Sequence, residues 1–354
     1  MSQDTVIQSG EQGRGTQKRP TLKDIAYMTG LGVTTVSRAL KDAPDISEST
    51  KERVRLVAKQ IGYRPNRAGV RLRTGKTNVI SLVVTTEAGA MGMTAPFVAG
   101  ISEFLRDTDY HLVVTPYHPT QDSMDPIRYI VETGAADGII ISRILPQDPR
   151  VKYLAGHGFA FATHGRTEMD IDHAFFDFDN EAFARLAVQK LAERDCESVC
   201  LIGPPDFLTF GHHLTTGFTS ELQKRDLLEI PIHNVSIDSP FEDMQAELER
   251  ILKSRHPFDG IVCASANSAL AAIAAIEAAG LKIGKDVEVA AKESFDLLNH
   301  IRPGLIVIRE DFYDAGQRLA DMVIRQINGE DASNLKMLQV PSESAGELEV
   351  IRVI

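Results

Sequence analysis

The chain has 354 residues, 43% hydrophobic and 25% charged, with three Cys and a formal net charge of −11. That length is too great for one ordinary domain, the composition excludes a disordered chain, and no apolar run approaches the roughly 18 residues that span a bilayer. The charge is divided: residues 18–76 hold 14 Lys and Arg against five Asp and Glu (+9), and with −1 on residues 1–17 this leaves −19 on residues 77–354, so a basic head suited to a polyanion precedes an acidic body that a polyanion repels.

Residues 1–18 are Gln-, Gly- and Ser-rich without periodicity and are expected to form a disordered tail. Met1–Gln17 has no apolar core of a secretory signal, so a cytoplasmic location is expected, with no membrane partner. Thr21–Leu40 reads as two short helices. Thr21 is an N-cap candidate, and Leu22, Ile25, Ala26 and Thr29 share one face. Gly30-Leu31-Gly32 breaks the pattern, with Gly30 expected at positive φ, and Val33, Val36 and Leu40 face inward on the second helix. This spacing fits a helix-turn-helix, whose second helix enters the DNA major groove, and it equally fits an ordinary αα-corner. Ser47 caps a third helix, although Ser49-x-x-Glu52 offers a capping-box frame two residues later. Val54, Val57, Ala58 and Ile61 form its stripe and Gly62 ends it, so the head has a very small core.

The segments TLKDIA, TG, TTVSRALKD, TKERV, IGYRPN and LRTGKTNVISLVV, running almost continuously from Thr21, resemble the amino-terminal signature of the lactose-repressor (LacI) family of bacterial transcription regulators. The resemblance implies that Val33, Thr34 and Arg38 reach base edges. Arg38 can bond guanine bidentately, Thr34 can donate or accept, and Val33 can touch a thymine methyl, unless Val33 is a core residue. Thr35 and Ser37, with Thr21, suit phosphate contacts that fix register. Gly32 stands where the family usually has a serine N-cap. Residues 64–77 resemble the family's hinge helix, whose leucine, here Leu72, wedges into the minor groove while Asn66, Arg67, Arg71 and Arg73 hold the backbone or groove walls. A flexible basic linker with Leu72 exposed is the alternative. Gly69 weakens this helix by about 1 kcal/mol relative to the usual alanine.

From Val79 onward apolar runs at 79–84, 111–117, 138–142 and 159–165 alternate with helical stretches near 97–107, 125–134 and 149–157. A second block repeats the plan, with strands at 198–205, 234–238, 260–265 and 287–294 and helices near 180–195, 212–227, 241–255 and 267–280. This is an α/β class: an N-terminal three-helix head plus hinge helix, joined to a two-lobed parallel α/β body. The expected boundaries are 19–65 for the head, 66–77 for the hinge and 78–354 for an effector-binding and dimerisation domain. Lobe 1 takes about 78–177 plus about 308–335, with the run 305–311 leading back into it, and lobe 2 takes about 178–307 plus the C-terminal strand. The resemblance likens this body to a periplasmic sugar-binding protein.

Binding groups should collect where strands end at the cleft between lobes. Those residues are Arg143, His164, Arg166, Phe210, His212, Asn267, Lys292 and Glu293, with Phe97 as a second aromatic face for a sugar. By resemblance Asn267 and Glu293 match ligand-contacting positions, and Asp179-Asn180 matches a crossover pair that helix capping explains equally well. His212 is equally open to a structural reading. Leu214, Ser268 and the run Lys292-Glu293-Ser294 depart from the family pattern, a combination similar to a branch responding to α-glucoside-type sugars. No catalytic or metal motif stands out, so neither an enzyme nor a cofactor or metal is expected. The expected partners are pseudo-palindromic double-stranded operator DNA, a small sugar effector and a second copy of the chain, a homodimer matching the operator's two-fold symmetry. A transport solute-binding protein and a cytoplasmic sugar enzyme on the same fold are the alternatives.

Overall fold

Ile25 and Ala26, one turn before Thr29, close the first helix of the head, α1 (Leu22–Thr29), onto α2 (Val33–Ala39) and α3 (Glu48–Gln60). The computed structural model describes residues 20–63, 75–254, 257–294, 297–341 and 348–352, with backbone alone at 88–91 and 348–352. The tail and the hinge residues Asn66, Arg67, Arg71, Leu72 and Arg73 lie outside the described residues. The chain divides into two units, Met1–Lys76 and Thr77–Ile354.

In the head, Asp24 accepts hydrogen bonds from the Thr21 N–H (2.7 Å) and hydroxyl (2.8 Å), which fixes the start of α1. Gly30 ends it at φ 65°, as expected of a left-handed cap. The core is six side chains: Ile25, Ala26, Val36, Ala39, Val54 and Ala58. Val33 corrects the expectation that it faces inward, being 41% exposed, because on so short a helix only Val36 and Ala39 meet the other two. Ser47 is the cap of α3, its hydroxyl 2.8 Å from that of Thr50, so the Ser49/Glu52 frame is not used. Arg53 ties α3 to α1 by donating to the Thr29 carbonyl. Lys51 lies 3.0 Å from Asp42, and the hydrogen bond it donates holds the Asp42 carboxyl below its ordinary range.

The body opens with β1 (Val79–Thr85), α4 (Ala88–Leu105), β2 (His111–Tyr117), α5 (Met124–Thr133), β3 (Gly138–Ser142), α6 (Pro149–Gly156), β4 (Phe161–His164) and β5 (Ala174–Phe178). It continues through α7 (Asn180–Ala192), β6 (Ser198–Ile202), α8 (Thr209–Arg225), β7 (Leu228–Glu229), α9 (Phe241–Leu252), β8 (Gly260–Cys263), α10 (Ala266–Ala278), β9 (Glu288–Glu293), α11 (Leu298–Ile301) and β10 (Ile306–Arg309). It closes with α12 (Phe312–Ile327), β11 (Lys336–Pro341) and β12 (Leu348–Arg352). One sheet has the order β12-β11-β5-β4-β3-β1-β2 and the other β10-β9-β8-β6-β7. All pairings are parallel except β11 with β12, and the central strands are buried, as parallel strands covered by helices must be.

Besides the unexpected strands β5 and β7, four details differ from the sequence reading. The run 305–311 does not lead back to lobe 1, since β10 pairs with β9, and only α12 returns, packing on α4. The C-terminal strands belong to lobe 1, because β11 pairs with β5 in the register Lys336↔Phe175. Residues 234–238 are not a strand. Ser236 accepts from the Asp238 N–H through its hydroxyl and donates its own N–H to Ser239, the side-chain competition that turns a chain. Finally α4 begins nine residues before the expected start and carries Pro96 inside it.

Glycine sets how closely the helices meet. A Cβ at Gly100 would lie 2.0 Å from the Tyr313 carbonyl oxygen, one at Gly316 2.5 Å from that of Phe97, and one at Gly217 2.2 Å from that of Glu181. Cys196, Cys200 and Cys263 are buried free thiols. Among the described residues no helix is long and apolar enough to cross a membrane.

Candidate functional site

Two surfaces carry the candidate residues, one on each unit. On the head, Val33, Thr34 and Arg38 of α2 are exposed, Thr35 and Ser37 are half-buried beside them, and Thr21 is exposed at the start of α1. The Arg38 guanidinium lies 2.6 Å from Asp45, with both side chains about half exposed. Such surface pairs contribute about 0–1 kcal/mol, so Arg38 can exchange Asp45 for a base edge at small cost. At Gly32 an added Cβ would meet only the Thr35 hydroxyl, at 3.7 Å, so the head has room for the serine it lacks.

On the body, the C-terminal ends of the strands face a cleft between the lobes holding about 1050 Å³ of space, part of it open to solvent. Six of the nine expected residues line it: Arg143, His164, Arg166, Phe210, Asn267 and Lys292. The other three do not. Phe97 is buried beneath the floor, its ring 5.3 Å from that of His164 in an edge-on contact, and Phe312 supplies the second aromatic surface instead. His212 points outward to Glu168 (2.9 Å), chiefly by a hydrogen bond that raises its pKa, while His213 lines the cleft. Glu293 turns away and accepts the N–H groups of Leu297 (2.7 Å) and Leu298 (2.8 Å) at the start of α11, leaving Ser294 at the cleft. Thr209 and His213, neighbours of the expected Phe210 and His212, line it as well, and Asp177, Ser265, Glu310 and Phe312 do so without having been singled out in the sequence. The crossover pair serves both readings, since Asp179 caps α7 through the Ala182 N–H (2.9 Å) and Asn180 lines the cleft. Ser268 is spent on the Ser265 cap of α10.

The electrostatics are those of buried, paired charges. Lys292 donates to Asn180 (2.8 Å), lies 2.7 Å from Glu310, and sits over the rings of Phe178, Phe210 and Phe183 at 5.2, 5.6 and 5.8 Å. Arg166 lies 3.3 Å from Asp177, and Arg143 is 2.9 Å from Glu87 and 2.5 Å from Asp238. Burial pushes the Asp177 carboxyl up to about 7 and the His164 imidazole down to about 4, and it lowers His213 as well. His164 is therefore neutral near pH 7. Three buried polar atoms at the cleft, His164 Nε2, Thr209 Oγ1 and His213 Nδ1, have no hydrogen bond among the described residues. Asp177 Oδ2 and Glu310 Oε2 touch a cation but accept no well-directed bond. Buried polar atoms left so cost about 1–3 kcal/mol each, and a ligand that meets them recovers it. Donors and acceptors are both present, which matches hydroxyl groups that do both.

Comparison with known proteins gives two family matches: "Bacterial regulatory proteins, lacI family" over residues 21–66, and "Periplasmic binding protein-like domain" over residues 188–344. The chain is 32% identical over 313 residues to the HTH-type transcriptional regulator AglR of Rhizobium meliloti (strain 1021), covering 86% of each. It is 30% identical over 325 residues to the HTH-type transcriptional regulator RafR of Escherichia coli, covering 91% of this chain and 96% of that one. Two solved structures share the fold. The Lac repressor dimer bound to operator and the anti-inducer ONPF superposes with a TM-score of 0.80 at 20% identity over 92% of this chain and 97% of that one. A CelR–cellobiose complex does so with 0.66 at 22% identity over 94% and 99%.

Proposed function

The chain belongs to the lacI family of bacterial regulatory proteins, and on that premise we propose that its operator affinity is set by an uncharged sugar held between the lobes of the body. The carrying observation is the set of buried, unsatisfied donors and acceptors at the cleft, flanked by the faces of Phe210 and Phe312. Each cleft cation, Arg143, Arg166 and Lys292, already faces a carboxylate, so an anionic effector would have to compete for it. The cellobiose bound by CelR is a sugar of this uncharged kind, and an α-glucoside-type sugar fits the same requirements.

On the head, Val33, Thr34 and Arg38 read base edges, Thr21, Thr35 and Ser37 hold phosphates, and Asn66, Arg67, Arg71 and Leu72 act in the hinge. The regulator acts as a homodimer on a pseudo-palindrome, in the cytoplasm, as a repressor and without catalysis. Coupling between the two sites is reciprocal: a sugar that weakens operator binding is itself bound more weakly on the operator.

A thermal-shift screen against neutral sugars tests the reading. A ligand at 100 times its dissociation constant adds about 2.7 kcal/mol, a shift of several degrees. The same sugar must then change operator affinity in a gel-shift assay, with affinity falling steeply as salt rises. A screen in which no sugar moves either readout overturns the proposal.

A further inference from the structure

Arg143 was expected to contact effector, yet its guanidinium is committed elsewhere. It stands just after β3 of lobe 1 and is 9% exposed, with a backbone φ of 55° that a non-glycine residue rarely adopts. A buried pair beneath it holds that conformation. Arg150 donates to the Arg143 carbonyl (2.9 Å) and is locked to Asp148 by bonds of 3.0 and 2.6 Å, while Asp148 also accepts the Leu145 N–H (3.1 Å). So braced, Arg143 reaches both oxygens of Asp238, which belongs to lobe 2, at 3.2 and 2.5 Å.

The far end is braced too. Asp238 sits in the turn closed by Ser236 and Ser239, and the neighbouring Ile237 N–H donates to the carbonyl of Gly203 at the end of β6 (2.9 Å). The pair therefore joins two rigid loops, one per lobe. A side chain meant to wrap a ligand would not be anchored at its backbone and then paired bidentately with the opposite lobe.

We propose that the Arg143–Asp238 ion pair is a clasp between the lobes, one that must part before the cleft can open to admit or release effector. This rests on the cleft being the effector site. Arg143 is a positioning residue, and two further ties share the load: the Thr209 N–H to the Ile144 carbonyl (2.9 Å) and His212 to Glu168. Removing the charge of Asp238 does not strand Arg143, which keeps Glu87 within its own lobe.

The test follows the distance between the lobes in the full chain, with fluorophores on Thr120→Cys and Glu242→Cys, since the native cysteines are buried. Asp238→Asn should move the distribution to longer distances or broaden it. The swap Arg143→Asp with Asp238→Arg, made together with Glu87→Gln so that no second carboxylate faces position 143, should restore it, because aspartate tolerates the left-handed backbone there. An unchanged distribution in Asp238→Asn overturns the clasp. So does a change that the swap fails to reverse, which would mark a general structural loss. Neither readout needs a sugar, so a failed sugar screen and a failed clasp are told apart.

Discussion

In the proposed function the head and the cleft recognise their partners in opposite ways. The head works with what it exposes: Arg38, Thr34 and Val33 stand in water on one short helix, above a core of six small or medium side chains. The cleft works with what it buries: Asp177, Lys292 and Glu310 are nearly inaccessible, His164 is mostly so, and they come from β5, β9, the crossover before α12 and β4. An exposed reader gains from charge that salt weakens, whereas a buried one gains from dehydrated polar atoms that only the right partner satisfies.

The most severe way to break this comparison is to remove the head's core. Ile25→Ala should cost about 2–5 kcal/mol, more than so small a core can lose. Calorimetry should show operator binding gone while the body's transition stays in place; a body that melts with the head would mean the two units are not independent. Arg38→Ala is the next largest. Binding-site selection should show about 1–3 kcal/mol of discrimination lost at one base pair, whereas equal loss on every sequence reassigns Arg38 to phosphate.

Asp177 sharpens the cleft side. Its carboxyl is raised from 3.8 to about 7, so the stability tied to its neutral form is complete below about 3.8 and lost as pH rises through about 7. Asp177→Asn should therefore gain melting temperature over the native chain by an amount that widens by a few degrees from pH 5 to pH 8. A constant difference across that range would mean the carboxyl titrates normally. Smallest of all, Gly32→Ser should stabilise α2 by a few tenths of a kcal/mol in chemical denaturation, and a loss of stability would show that the cap position is wrongly placed.

The same contrast decides what the sequence discloses. The head's contacts fall within some forty residues and repeat at helical spacing, so its three helices, the Thr21 cap and the Gly30 turn were legible. Only the inward face given to Val33 was misread, on a helix too short for its stripe to settle which way it points. In the cleft, polar residues directly after an apolar strand were legible, hence Arg143, His164, Arg166 and Lys292. Apart from Phe97, which lies under the floor, the errors there were one residue wide. His213 rather than His212 faces the cleft because a helix turns about 100° per residue, and Glu293 beside Lys292 points away because successive strand side chains alternate. Asp177 was missed because β5 was not recognised, and Glu310 because its partner Lys292 lies on the neighbouring strand, a pairing that leaves no local pattern in the sequence.

The bare backbone contacts at Gly100, Gly316 and Gly217 bear on how a metabolite's arrival is felt at a distance. Where main chain rests on main chain no side chain is left to re-rotamerise, so α4 with α12, and α7 with α8, cannot absorb a push by local give. A force at a strand tip is then passed on as a tilt of the whole lobe, like a key turning a cylinder. New ligand preferences can be tried at the strand tips while that transmission stays intact.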